Sequence, residues 1–180
     1  EIEPADHDVA QRRRFGEQTI EAREVDDLFH GAMVTLGERG TMRDEESMPD
    51  RVRSWARRGT EEVACGLRVF AIDVPPADGR PTDEAVLVLH GFPSSSLDYR
   101  PVMDAFGGRR VLLFDFPGFG LSEKPGGRPY SLHEDADVAC ALLAARGIRK
   151  VHVVAHDMGT SVLAELLARR VDGTLGFEIG

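Results

Sequence analysis

The chain has 180 residues, 42% hydrophobic and 29% charged, with 31 acidic against 22 basic side chains for a formal charge of −9. That balance fits one globular domain with or without an extension, and excludes collagen-like, coiled-coil and fully disordered classes. The negative surplus repels polyanions at long range, which argues against nucleic acid or anionic lipid and for a small molecule as partner. No apolar stretch approaches the ~18 residues of a membrane span, so no membrane insertion is expected. The start EIEPADHD lacks the basic and apolar regions of a secretory signal, and the expected compartment is cytoplasmic. Cys65 and Cys140 lie far apart, outside any CxxC, and are expected to be small buried hydrophobes, not disulfide or zinc ligands.

Residues 1–47 carry scattered charge and apolar positions too sparse for a long amphipathic face. They are expected to form a mobile extension, with a regulatory or partner-binding helix over EQTIEAREVDDLFHGAMVTL as the alternative. Met48 is a candidate true start, and Trp55 is expected to pack on the core beside the first strand.

From Gly66 the pattern becomes regular. GLRVFAIDV alternates in a way that predicts an antiparallel outer strand, followed by the turn-forming PPADGRPTD. EAVLVLHGF, RRVLLFDFPGFG and KVHVVAHDMG contain apolar runs bounded by turn residues, as strands buried on both faces require. SSLDYRPVMDAF predicts a short helical stretch disturbed at Pro101. YSLHEDADVACALLAARG predicts a helix capped by Ser131 with Glu134 completing a capping box and Gly147 past its end, and TSVLAELLARR predicts a helix leaving the last strand. Strands alternating with helices at this spacing predict an α/β class, with a mostly parallel sheet, right-handed crossovers and helices on both faces.

The junction VVAHDMGTS carries the chemical signal. A strand ends at Ala155 or His156, a helix begins near Thr160, and Ala155, His156, Asp157, Met158 and Gly159 read as small, any, acid, any, small. Such spacing is that of the G-x-S-x-G nucleophile elbow with aspartate at the centre. Small flanking residues let strand and helix backbones approach, and the central carboxylate stands at a helix N-terminus, where the dipole favours an anion. A second motif, His90-Gly91-Phe92-Pro93, ends an earlier buried strand.

Taken in order, LHGFPSSSLDYRPVMDAF, FDFPGFGLSEKPGGRPYSL and VVAHDMGTSVLAELLAR resemble the first half of the α/β-hydrolase fold over about residues 50–180. Within it they are similar to the members with an aspartate nucleophile: epoxide hydrolases, haloalkane dehalogenases and mesoderm-specific transcript hydrolases. The resemblance implies that Asp157 is the nucleophile, attacking saturated carbon to form an alkyl-enzyme ester, and that the amides of Phe92 and Met158 form the oxyanion pair that assists hydrolysis of that ester. It implies no cofactor and no metal, and an apolar small-molecule substrate. Halide-releasing members commonly carry tryptophan after the nucleophile, whereas the Met158 side chain has no donor, which favours an epoxide over a haloalkane.

In the same family the acid and then the histidine follow the nucleophile in the chain. All six histidines here precede Asp157. His152 is expected to be a core residue, His156 to project away from Asp157, and His90 to brace the oxyanion loop. Residues 48–180 are therefore expected to be the N-terminal part of such a core, lacking cap, later strands and water-activating pair. The alternative is a non-catalytic module of the same fold. Tyr99 and Tyr130 are expected to be packing residues, and Gly118 and Gly120 lack the full dinucleotide fingerprint. The acidic cluster Glu134, Asp135 and Asp137 is expected to be a helix-start charge run, not a metal site.

Overall fold

The computed structural model describes residues 48–180; the extension expected over 1–47 lies outside the described residues. The elements run α1 (Asp50–Ala56), β1 (Thr60–Ala64), β2 (Leu67–Val74), β3 (Glu84–Leu89), a 3-10 segment (Ser96–Phe106), β4 (Val111–Phe114), α2 (Leu132–Ala145), β5 (Lys150–Ala155), α3 (Met158–Val171) and β6 (Glu178–Ile179).

One six-stranded sheet has the order β1-β2-β4-β3-β5-β6. The β1–β2 and β2–β4 pairs are antiparallel; β4, β3, β5 and β6 are mutually parallel. Strand alternation sorts the apolar residues onto two faces. Leu67, Val69 and Ala71, Ala85, Leu87 and Leu89, and Leu112 and Phe114 join a core shared with Val138, Leu142 and Leu143 of α2 and Val162 and Leu166 of α3. Phe70, Ile72, Val86, Val88, Val111 and Leu113 point the other way and are covered by Trp55 of α1 and by Leu97, Met103 and Phe106 of the 3-10 segment. Helical layers on both faces explain why the central strands read as unbroken apolar runs.

One strand expectation and one cysteine expectation change. The strand over Leu67–Val74 is antiparallel as expected but is second from the edge, because TEEVA (Thr60–Ala64) forms the outer strand. Its polar, largely exposed side chains give no core period, so only pairing with β2 reveals it. Cys65 is exposed, not buried, in the two-residue turn joining β1 to β2, where it adopts φ 54° ahead of Gly66 at φ 80°. Cys140 is partly buried on α2.

Trp55 is 1% exposed. Tyr99 is half-buried and donates to the Leu89 carbonyl at 3.3 Å, while Tyr130 is exposed and donates to the Pro125 carbonyl at 3.0 Å. Among the described residues no helix is long and apolar enough to cross a membrane, and no group of three potential metal ligands occurs.

Candidate active site

The C-terminal ends of β3, β4 and β5 meet at one edge of the sheet, where each parallel strand runs into a loop. After Ala155 the chain turns through His156 and Asp157, and α3 begins at Met158, two residues earlier than the sequence suggested. Asp157 has φ 49° and ψ −117°. A non-glycine residue in that conformation costs about 1–3 kcal/mol, which the surrounding packing must sustain.

That packing is visible at both flanks. A Cβ on Gly159 would lie 2.4 Å from the Leu89 carbonyl oxygen and 2.7 Å from that of His90, so only glycine lets α3 rest against the end of β3. A Cβ on Gly91 would lie 2.7 Å from His156 Nδ1 and 2.8 Å from Asp157 Cβ. The two motifs separated by more than sixty residues in sequence are therefore in van der Waals contact.

The structure brings Phe92, Met158 and Asp157 together. The Phe92 amide donates to Asp157 Oδ1 at 2.9 Å, and the Met158 amide donates to the same oxygen at 2.6 Å. Among the described residues Oδ2 makes no hydrogen bond, and Asp157 is exposed. The Phe92 and Met158 amides, with a smaller effect of nearby His156, hold the carboxyl below the ordinary aspartate range. An ionised carboxylate with one oxygen held and the other open, at the start of a fourteen-residue helix, is equipped for attack on an electrophile.

Phe92 presents its ring to solvent at 65% exposure and meets Phe119 edge-on, with centroids 6.1 Å apart. Phe119 in turn meets His90 edge-on at 5.6 Å. The wall beside Asp157 is thus aromatic, with no side-chain donor at Met158.

The histidines divide by partner. His90 is fully enclosed: Nε2 accepts from the Phe116 amide at 2.9 Å, which leaves Nδ1–H to donate to the Gly91 carbonyl at 2.9 Å. Burial holds this imidazole below its usual pKa, in keeping with one ring nitrogen donating and the other accepting. The bracing role expected of it matches this geometry. His152 is not the core residue expected; it is half-exposed, with Nε2 2.8 Å from Glu84 Oε1, because the β5 face carrying it lies beyond the cover of the 3-10 segment. His156 is exposed beside Gly91, and His133 pairs with Glu165 at 3.1 Å across α2 and α3.

The sequence reading passes over Asp115. Its signal is a carboxylate at the end of the buried run VLLFDF, which in a dry position requires partners. The structure supplies them from the Ser96 and Leu121 amides, each at 2.7 Å.

A model of the alpha/beta hydrolase fold matches residues 84–173, which spans β3 through α3. LipZ of Mycobacterium tuberculosis is 49% identical over 128 residues, covering 71% of this chain and 43% of LipZ. The mesoderm-specific transcript homolog protein of Homo sapiens is 39% identical over 122 residues, covering 66% of this chain and 36% of that protein. The solved epoxide hydrolase CorEH superposes with a TM-score of 0.54 at 24% identity, over 67% of this chain and 39% of that one, a likeness of fold. The chain spans less than half the length of these relatives. Strand order, elbow and family model agree: this chain belongs to the α/β-hydrolase fold family.

Proposed function

We propose that the whole protein is a hydrolase that works through Asp157 as nucleophile, with an epoxide as the preferred electrophile. The observation that carries this reading is the carboxylate of Asp157, one oxygen held by the Phe92 and Met158 amides and the other open. Oδ2 attacks an epoxide carbon; the carbon–oxygen bond of the ring breaks, and the released alkoxide takes a proton from an acid that this reading places in the rest of the whole protein, to give a hydroxyalkyl ester of Asp157. Water then adds to the ester carbonyl, whose oxygen is Oδ1, so the two amides already in place stabilise the oxyanion. Collapse releases a diol and restores the carboxylate. The base that activates water, and its acid, belong in this reading to the rest of the whole protein, as does the compartment, taken to be cytoplasmic.

Met158 supports the epoxide over the haloalkane because its side chain offers no N–H to a departing halide. The aromatic pair Phe92 and Phe119 supports an apolar substituent on the substrate. A carboxylate nucleophile needs no metal or organic cofactor.

In the whole protein, incubation with an aryl epoxide and peptide mapping by mass spectrometry is expected to find the hydroxyalkyl group on Asp157. Asp157→Asn should remove the adduct, and an adduct that survives the substitution overturns the assignment. One observation favours a second reading, a non-catalytic module of the same fold: among the described residues no histidine hydrogen-bonds to Asp157. Absence of any adduct and of diol formation by the whole protein is the result that reading expects.

A further inference from the structure

The loop that presents the Phe92 amide is fastened at its beginning to Phe116 and at its end to Asp115, neighbouring residues just past β4. At its beginning His90, 1% exposed, accepts the Phe116 amide on Nε2 and holds the Gly91 carbonyl through Nδ1. At its end Asp115, also 1% exposed, accepts the Ser96 amide on Oδ1 at 2.7 Å, while Ser96 Oγ accepts from Trp55 Nε1 at 3.0 Å.

The other oxygen of Asp115 serves a second loop. Oδ2 accepts the Leu121 amide at 2.7 Å, and Ser122 Oγ donates to the Asp115 carbonyl at 2.5 Å. Gly120, at φ 47°, passes so near that a Cβ there would fall 2.1 Å from Oδ2. This loop carries Phe119, the ring that packs edge-on against both His90 and Phe92. One buried carboxylate therefore ties down the backbone after Phe92 and the aromatic ring beside it.

We propose that Asp115 is a positioning residue for the oxyanion site: by accepting the Ser96 and Leu121 amides together it aims the Phe92 N–H at the carboxylate of Asp157. The inference rests on the reading of Asp157 as a nucleophile that passes through an ester. A carboxylate is the side chain the position needs, because both its oxygens accept. A carboxamide offers one oxygen and one NH2 group, so in Asp115→Asn one of the two amides faces a donor, and a buried N–H without an acceptor drives the loop to rearrange.

The two half-reactions feel that rearrangement differently. Full negative charge develops on Oδ1 only during ester hydrolysis, and loss of one oxyanion donor slows such steps by about 100-fold or more. In the whole protein Asp115→Asn is therefore expected to slow hydrolysis of the Asp157 ester at least about tenfold, the loop keeping part of its alignment, while attack on an aryl epoxide changes by less than about threefold. The adduct accumulates. The pH midpoint for its formation should also move up, since Asp157 loses an amide that favours its ionised form.

Rapid-quench mass spectrometry measures both rates, and the Phe92 amide resonance, recorded without any epoxide, reports the hydrogen bond directly. Equal loss in both half-reactions, or an unmoved Phe92 resonance and pH midpoint in a folded variant, overturns the role of Asp115. Should Asp115→Asn fail to fold, Trp55→Phe removes the N–H that steadies Ser96, together with part of a buried ring, and is expected to shift the same readouts in the same direction by a smaller factor; no shift overturns the proposal. Failure of the unsubstituted protein to form an adduct counts against the nucleophile alone, and the Phe92 resonance still decides the role of Asp115.

Discussion

Asp157 keeps φ 49° because Gly91 and Gly159 leave room for the backbones of β3, the elbow and α3 to touch. Gly159→Ala, which brings a methyl to 2.4 Å from the Leu89 carbonyl oxygen, is expected to lower stability by about 2 kcal/mol in urea unfolding and to abolish adduct formation. The pH dependence of Asp157 follows from its amide partners. Because they favour the ionised form, alkylation by an epoxide should stay on its plateau as pH falls through the ordinary aspartate value of 3.8 and decline only below it. A rate that drops at or above that value contradicts the two-amide geometry. At this scale the sequence was most legible: the small-x-Asp-x-small string announces a steric requirement between neighbours. Asp115 was not legible, since its partners at 96 and 121 are brought together only by the crossing of two loops.

Among the elements, α2 shows where local rules hold and where they stop. Ser131 caps it by accepting the His133 amide at 3.2 Å, and Gly147 at φ 63° ends it, both as the sequence indicated. Glu134 does not complete the capping box; it turns to Arg128, a partner outside the helix. Asp135 faces the core at 7% exposure, and burial, with a contribution from Glu134, raises its carboxyl to about 7. Since the folded value lies above the unfolded one, the stability this group lends is complete below about pH 4 and is lost as pH rises toward 7. Asp135→Asn is accordingly expected to raise stability at pH 8 by about 1–2 kcal/mol, after allowance for solvent near the helix start, and to change little at pH 4. Urea titrations at the two pH values measure the difference. β1 escaped the sequence reading for the opposite reason: TEEVA exposes most of its side chains, so its strand state comes from hydrogen bonding to β2.

Across the whole molecule, distant elements are joined through Asp73 on β2. Arg110, at the entry to β4, grips it with two hydrogen bonds of 3.0 and 2.7 Å and also donates to the Thr82 carbonyl at 2.9 Å. Arg146 at the end of α2 reaches the same carboxylate at 3.3 Å and pairs with Glu62 of β1. Both guanidinium groups are mostly buried, so Asp73→Ala leaves Arg110 without its carboxylate and should cost about 2–3 kcal/mol in urea unfolding, more than Asp73→Asn, which keeps an acceptor. Periodicity, composition and the elbow spacing by themselves determined the α/β class, the buried strands and the position of the acid, because burial on two faces and close backbone approach constrain residues that are neighbours in the chain. Only the tertiary structure decided the edge strand, the half-exposed place of His152, the contact of the Phe92 amide with Asp157, and the meeting of Asp115 with the Ser96 and Leu121 amides. Those depend on strand order and loop crossing, which bring together residues that no local pattern relates.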